Sequence, residues 1–262
     1  MDETTARRSI VEAGRRLADR FFVASNDGNI SCRIGENEVL ITPTGVNKGE
    51  VTEGCILKVD MAGRVLSGTM KPTSEMKMHM AVYRTRPDVK AVLHAHPPAA
   101  TGFAACRKPL DKDVFLPEVI FGLGRIGLAA YGTPSTEELP RAVEKEIPTC
   151  DALLLSNHGA LTVGEDPMQA YWRMETLEMY ARIHLVTTML GGAAVLSPEQ
   201  TQALFQVRER QGWGGRKPEA ASEPASEAAP EASASTTNAT TADERTVSLI
   251  AEAVVEALRA GK

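Results

Sequence analysis

The chain has 262 residues with 43% hydrophobic and only 5% aromatic content, and a length that allows one well-buried domain with an appendage. A formal net charge of −5 argues against a nucleic-acid or anionic-membrane partner. No run reaches the length of a transmembrane helix and no secretory apolar stretch opens the chain, so a cytoplasmic protein is expected.

The opening segment MDETTARRSIVEAGRRLADRFFVAS spaces Ile10, Val11, Gly14, Leu17, Ala18, Phe21 and Phe22 along one face, predicting a helix at about 5–22. Strand-like segments follow around 30–34, 38–42 and 55–60, with turns between them. Pro72-Thr73-Ser74-Glu75 opens a helix from about Ser74 to Arg86, and a strand follows at 89–96. A short helix at 98–106 leads to expected strands near 115–121 and 125–130, then a helix at about 135–146. ALLLS (152–156) reads as a buried strand, LTVGED brings another, and a long helix is expected from about 167 to 190. Helices interleave with hairpin-like pairs, which predicts an α/β fold whose sheet is covered by helices and is not purely parallel. Cys32, Cys55, Cys106 and Cys150 form no CxxC pair and are expected to be reduced and structural.

Composition breaks near Trp213, so a domain is expected over 1–213. The stretch 214–242 is almost free of large apolar residues and is expected to be a disordered linker, with a span of roughly 25–30 Å as a flexible chain. Apolar periodicity returns at 243–262, where Val247, Ile250, Ala251, Val254, Val255 and Leu258 form one stripe. Thr241 and Glu244 have capping-box spacing and Gly261 marks a stop, predicting a short amphipathic helix on a tether.

Two of only five histidines fall in LHAHPP (93–98). On a strand, residues i and i+2 share a face, so His94 and His96 stand side by side and form half of a metal site. His158, in LLLSNHGA, lies just after a buried strand and before a glycine, where active-site side chains are often presented. Glu75 lies in the first turn of the helix that precedes the His94 strand, and His79 follows one turn later, either orienting Glu75 or packing in the core. His184 reads as a histidine on a helix face. Three histidines and a carboxylate suit a zinc-type divalent metal. Three further stretches, SNDGNIS (25–31), TPTGVN (42–47) and PTSE (72–75), offer backbone N–H groups and hydroxyls to an anion, though each alone is also an ordinary turn.

Taken in order, SNDGNIS, LITPTGV, KPTSEMKMHMAVYRTRPDVKAVLHAHPP, AAYGTPSTEEL and LLLSNHGALTVGED resemble the class II aldolase/adducin family over about residues 5–200, with its fuculose-phosphate branch nearest. The resemblance implies a three-layer αβα fold around a mainly antiparallel sheet. It implies one Zn²⁺ or other divalent metal on His94, His96 and His158, with Glu75 as acid/base that also coordinates the metal. Gly28, Asn29, Thr44, Gly45, Thr73 and Ser74 would hold a substrate phosphate. Tyr131 would reach into a neighbouring subunit's site, implying a homotetramer. The implied reaction is cleavage of a ketose 1-phosphate, L-fuculose 1-phosphate foremost, to dihydroxyacetone phosphate and L-lactaldehyde through an enediolate. One departure is that no tyrosine follows Tyr180, whereas a tail tyrosine takes part in the similar aldolases.

Other members of the family remain open on this reading: another sugar-phosphate aldolase, a methylthioribulose-phosphate dehydratase, or a pentulose-phosphate 4-epimerase. The epimerase has Asp where this chain has Glu75, and a non-enzymatic adducin-like module lacks the metal histidines. The tethered helix at 243–262 resembles the encapsulation peptides of bacterial microcompartments, whose partner would be a shell or cargo protein. Docking on the core or pairing between copies is the other reading of that helix.

Overall fold

A computed structural model describes residues 1–111 and 115–212. Seven helices and eight strands are present among them, with short 3-10 turns at Lys48–Glu50, Glu53–Cys55 and Ile147–Thr149. The strands are β1 (Asn29–Arg33), β2 (Val39–Ile41), β3 (Leu57–Val59), β4 (Val65–Ser67), β5 (Ala91–Ala95), β6 (Ile126–Ala129), β7 (Ala152–Leu155) and β8 (Gly159–Gly164). The helices are α1 (Glu3–Asp19), α2 (Met76–Thr85), α3 (Pro98–Ala105), α4 (Pro117–Gly122), α5 (Glu138–Glu146), α6 (Pro167–Met189) and α7 (Pro198–Arg210).

The strands form one sheet in the order β4-β3-β2-β1-β5-β8-β7-β6. Every neighbouring pair is antiparallel except β6 with β7. Strand alternation explains the layers, because both faces are buried and successive residues enter different cores. Leu93, Leu154 and Ala160 face a core shared with Ile10 and Leu17 of α1, Ala100 of α3 and Tyr171 and Leu177 of α6. Val92, Leu153, Leu155 and Leu161 face the opposite core, against Met78 and Val82 of α2 and Leu139 and Val143 of α5. The expected three-layer α/β fold with a mainly antiparallel sheet is therefore present.

Helix ends follow local chemistry. Asp2 accepts from the Thr5 N–H at 2.9 Å to start α1, and Asp166, followed by Pro167, accepts from the Gln169 N–H at 2.8 Å to start α6. Helix α1 stops at Asp19, short of the expected 22: Phe21 takes a left-handed φ of 57° and is 81% exposed, while Phe22 turns into the core. The expected strand near 115–121 is instead α4, opened by Pro117 within a short apolar run whose period cannot separate strand from helix. Edge strand β4 and helix α7 were not foreseen. Arg208 anchors α7 by donating to the carbonyls of Ile120 (2.7 Å) and Phe121 (2.5 Å).

All four cysteines are unpaired. Among the described residues, no helix is long and apolar enough to cross a membrane. The expected linker at 214–242 and helix at 243–262, with Trp213, lie outside the described residues.

Candidate active site

Strand β5 delivers His94 fully buried, and His96 follows one residue beyond its end, before Pro97 opens the turn into α3. His158 sits in the tight turn joining β7 to β8, where Asn157 takes a left-handed φ of 57°. Arg107 holds that turn through the Asn157 amide oxygen at 3.0 Å, and the His158 N–H donates to Leu155 O at 2.9 Å. Because β5 and β8 pair directly, the three rings meet: centroids lie 4.8 Å apart for His94–His96, 4.7 Å for His94–His158 and 5.4 Å for His96–His158. One ligand atom from each of the three lies within 4.8 Å of the others.

Glu75, at the N-terminal end of α2, points into this cluster. Its Oε2 lies 3.2 Å from His94 Nε2 and its Oε1 lies 3.2 Å from His158 Nε2. Burial drives the His94 pKa down to about 3 and lowers that of His158, so these imidazoles are neutral. Burial pushes the Glu75 carboxyl up, but the imidazoles around it and the Asn29 amide draw it down further, leaving it below the ordinary value. An anionic carboxylate among neutral imidazoles is the protonation state a metal ligand set requires.

The donor atoms fit a divalent cation. His94 Nε2, His96 Nε2 and Glu75 Oε1 are buried and have no hydrogen-bond partner among the described residues. Buried polar atoms are rarely left so, and several converging on one point suit a shared cation. Two of the three outer nitrogens are oriented as in metal sites, His94 Nδ1 meeting Ala160 O at 2.9 Å and His96 Nδ1 facing Asp27 Oδ2 at 3.4 Å, while His158 Nδ1 has no hydrogen-bond partner among the described residues.

The three stretches expected to meet an anion converge beside this cluster. Asn29 pairs with His94 across β1 and β5, which seats SNDGN against the histidines. Gly28, with φ +73°, lies so close that a Cβ would stand 2.9 Å from His94 O. Pro43 and Pro72 form an antiparallel bridge, Thr44 N–H donates to Lys71 O at 2.9 Å and Thr73 N–H donates to Thr42 O at 3.2 Å, joining TPTG to PTSE. Gly45 takes φ +76°. The Gly45 and Ser74 N–H groups, both on exposed residues, make no hydrogen bond among the described residues.

The expected set divides on this geometry. His94, His96, His158 and Glu75 come together, with Gly28, Thr44, Gly45, Thr73 and Ser74 on the adjoining loops. Asn29 is joined to Glu75, its Nδ2 donating to Oε2 at 2.8 Å. Tyr131 stands apart: it is 53% exposed on the loop after β6 and shares no hydrogen bond with the cluster among the described residues. His184 packs against Phe103 and Phe115, away from the ligand set. Asp27, Lys48 and Gly159 were missed. The signal for Lys48 is its place at the end of TPTGVN, and for Gly159 its place directly after His158.

The family model described as the Class II Aldolase and Adducin N-terminal domain matches residues 8–185, and the chain belongs to that family. An L-fuculose phosphate aldolase of Methanococcus vannielii is 39% identical over 173 residues, covering 65% of this chain and 91% of the relative. A 3-oxo-tetronate 4-phosphate decarboxylase of Haemophilus influenzae is 30% identical over 187 residues, covering 70% and 88%. A solved L-fuculose 1-phosphate aldolase superposes with a TM-score of 0.73 at 29% identity, covering 80% of this chain and 98% of the other. The decarboxylase is a reaction that the sequence reading had not considered.

Proposed function

We infer that the chain is a divalent-metal-dependent aldolase that cleaves a ketose 1-phosphate, L-fuculose 1-phosphate foremost, to dihydroxyacetone phosphate and L-lactaldehyde. The observation that carries this reading is Glu75 held between His94 and His158, 3.2 Å from each, inside a three-histidine ligand set. A divalent cation on His94, His96 and His158, zinc by its donor set, would supply Lewis-acid stabilisation of the negative charge developing beside the substrate carbonyl. Glu75 would deliver a proton to the carbon freed by bond cleavage and remove it in the reverse direction. Gly28, Asn29, Thr44, Gly45, Thr73 and Ser74 would anchor the phosphate away from the breaking bond. Tyr131, exposed in a single chain, would take the proton of the C4 hydroxyl in a neighbouring copy's site, so the proposal includes a homotetramer with shared sites.

The Haemophilus relative favours a second reading. Loss of CO2 from a 3-oxo-tetronate 4-phosphate leaves the same enediolate, and protonation of that enediolate gives the same triose phosphate. That reaction has no hydroxyl proton to remove, so Tyr131 separates the two.

The test is a coupled assay for dihydroxyacetone phosphate from L-fuculose 1-phosphate, L-rhamnulose 1-phosphate and 3-oxo-tetronate 4-phosphate. Metal-loaded, chelator-treated, Glu75→Gln and Tyr131→Phe protein are compared. Metal-dependent release from a ketose phosphate, lost in both variants, supports the aldolase. Release from the oxo acid alone, unchanged in Tyr131→Phe, transfers the proposal to decarboxylation. No release from any substrate overturns both. The proposal also places the enzyme in the cytoplasm, packaged into a bacterial microcompartment through 243–262. Deleting 217–262 should then abolish its co-fractionation with shells, and unchanged co-fractionation ends that part of the reading.

A further inference from the structure

Strand β1 and helix α2 run past each other with matched repeats. Two residues of strand advance about 6.6 Å and four residues of helix about 6.0 Å, so i, i+2 on one keeps step with i, i+4 on the other. Asn29 and Ser31 share a face of β1, while Glu75, His79 and Tyr83 share a side of α2.

Their side chains alternate in a continuous hydrogen-bonded ladder. Glu75 Oε2 meets Asn29 Nδ2 at 2.8 Å, and Asn29 Oδ1 meets His79 Nε2 at 2.5 Å. His79 Nδ1 meets Ser31 Oγ at 2.7 Å, and Ser31 Oγ meets Tyr83 Oη at 2.7 Å. Ser31 and His79 are 0% exposed, Tyr83 1% and Asn29 3%, so the ladder lies within the core between the sheet and α2.

Each link fixes the direction of the next. A carboxylate only accepts, so the Asn29 amide gives its N–H to Glu75 and turns its oxygen toward His79. His79 must then carry its proton on Nε2. Burial keeps that ring neutral, so Nδ1 accepts from the Ser31 hydroxyl. Ser31 Oγ in turn accepts from Tyr83. Four donors in series point at one carboxylate oxygen, while Glu75 Oε1 makes no hydrogen bond among the described residues.

We propose that Tyr83, Ser31, His79 and Asn29 are positioning residues for Glu75: the ladder locks its carboxylate through Oε2 and leaves Oε1 as the oxygen that exchanges a proton with the substrate. The role of Glu75 rests on the functional reading above. One consequence is a second role for Asn29: its Oδ1 and one of its two amide N–H groups are engaged in the ladder, so it acts on Glu75 and keeps one N–H for the phosphate. The buried ladder from Tyr83 to Asn29 also gives α2 a single register on the sheet.

The experiment uses the full-length, metal-loaded protein with Asn29→Ala, Ser31→Ala, His79→Leu and His79→Gln. The readouts are kcat, the inhibition constant of inorganic phosphate, Tm, and the His79 tautomer from 15N-histidine NMR. Asn29→Ala and His79→Leu should lower kcat by about tenfold to a hundredfold, as expected for a displaced catalytic group, and His79→Leu should leave phosphate inhibition within about twofold. His79→Gln, which keeps a donor toward Asn29 and an acceptor toward Ser31, should recover most of kcat without restoring Tm. A weaker phosphate constant with kcat unchanged in Asn29→Ala overturns the proposal, as does a kcat loss in His79→Leu that Gln does not relieve. Independently of activity, His79 should show a protonated Nε2 and an unprotonated Nδ1, a pattern that shifts in Ser31→Ala; a proton on Nδ1 overturns the ladder's direction. If wild-type protein yields no triose phosphate from any substrate, the functional reading fails alone and the tautomer still decides the ladder.

Discussion

Gly159 lies directly against the His96 ring: a Cβ at position 159 would stand 2.5 Å from His96 Cδ2 and 2.7 Å from Ala95 O. The β7–β8 turn that presents His158 therefore approaches β5 only because residue 159 has no side chain. Gly159→Ala should push the His96 ring out of the ligand set. Overpacking of this kind costs about 1–3 kcal/mol, and loss of one oriented ligand should weaken metal binding at least about tenfold. Zn²⁺ affinity measured by chelator competition checks this, and unchanged affinity would show that the backbone yields instead.

Asp27 reaches the same ring from the other side, with Oδ2 3.4 Å from His96 Nδ1. A carboxylate behind a ligating imidazole fixes its tautomer and raises its basicity, so Asp27→Asn should lower Zn²⁺ affinity by about tenfold. Since Asp27 is half-exposed, fold stability should be nearly unchanged. Parallel chelator titration and thermal unfolding separate the two effects.

The legible part of this site was carried by residue type and short-range period. His94 and His96 share a face by strand alternation, and His158 ends a buried strand, so their meeting needed only a paired sheet. Glu75 was marked by a helix start. The position of His79 one turn later was also visible, but whether it oriented Glu75 or filled the core was not, because Asn29, the link between them, lies 46 residues before Glu75. Asp27 lies within SNDGNIS and Lys48 directly follows TPTGVN, so their loops were marked, but the groups they meet follow from strand pairing, which no local pattern announces. The α4 segment failed for a local reason: LPEVIF carries no period long enough to choose between helix and strand, and Pro117 at the first turn decided it.

Lys48 staples the SNDGN loop to the TPTGVN loop. Only 1% exposed, it donates from Nζ to Asn26 O at 2.9 Å and Val46 O at 2.6 Å, while the neighbouring Asn47 amide donates to Ser25 O at 2.7 Å. Burial presses the Lys48 pKa down to about 8, and the two carbonyls take two of the three ammonium donors. Lys48→Met keeps the apolar stem but removes two part-buried hydrogen bonds, each worth about 0.5–1.5 kcal/mol. The expected result is a lower Tm together with a weaker inhibition constant for inorganic phosphate. A stability loss with phosphate inhibition intact would confine Lys48 to the fold.

His79 should also shape the acid limb of stability. Burial lowers its pKa from 6.5 to about 4. Between those values the unfolded chain binds a proton that the native ring refuses, so the stability tied to the neutral ring is whole above about pH 6.5 and is lost as pH falls toward 4. His94, lowered to about 3 by burial, acts in the same direction and stays in place in a His79 variant. Replacing His79 with the non-titrating Gln should therefore make the slope of unfolding free energy near pH 5 shallower by up to about 1.4 kcal/mol per pH unit, one proton's worth. Urea unfolding of chelator-treated wild type and His79→Gln between about pH 4.5 and 7 measures this. Equal slopes would mean that the native ring already carries a second proton, which is incompatible with Ser31 donating to Nδ1.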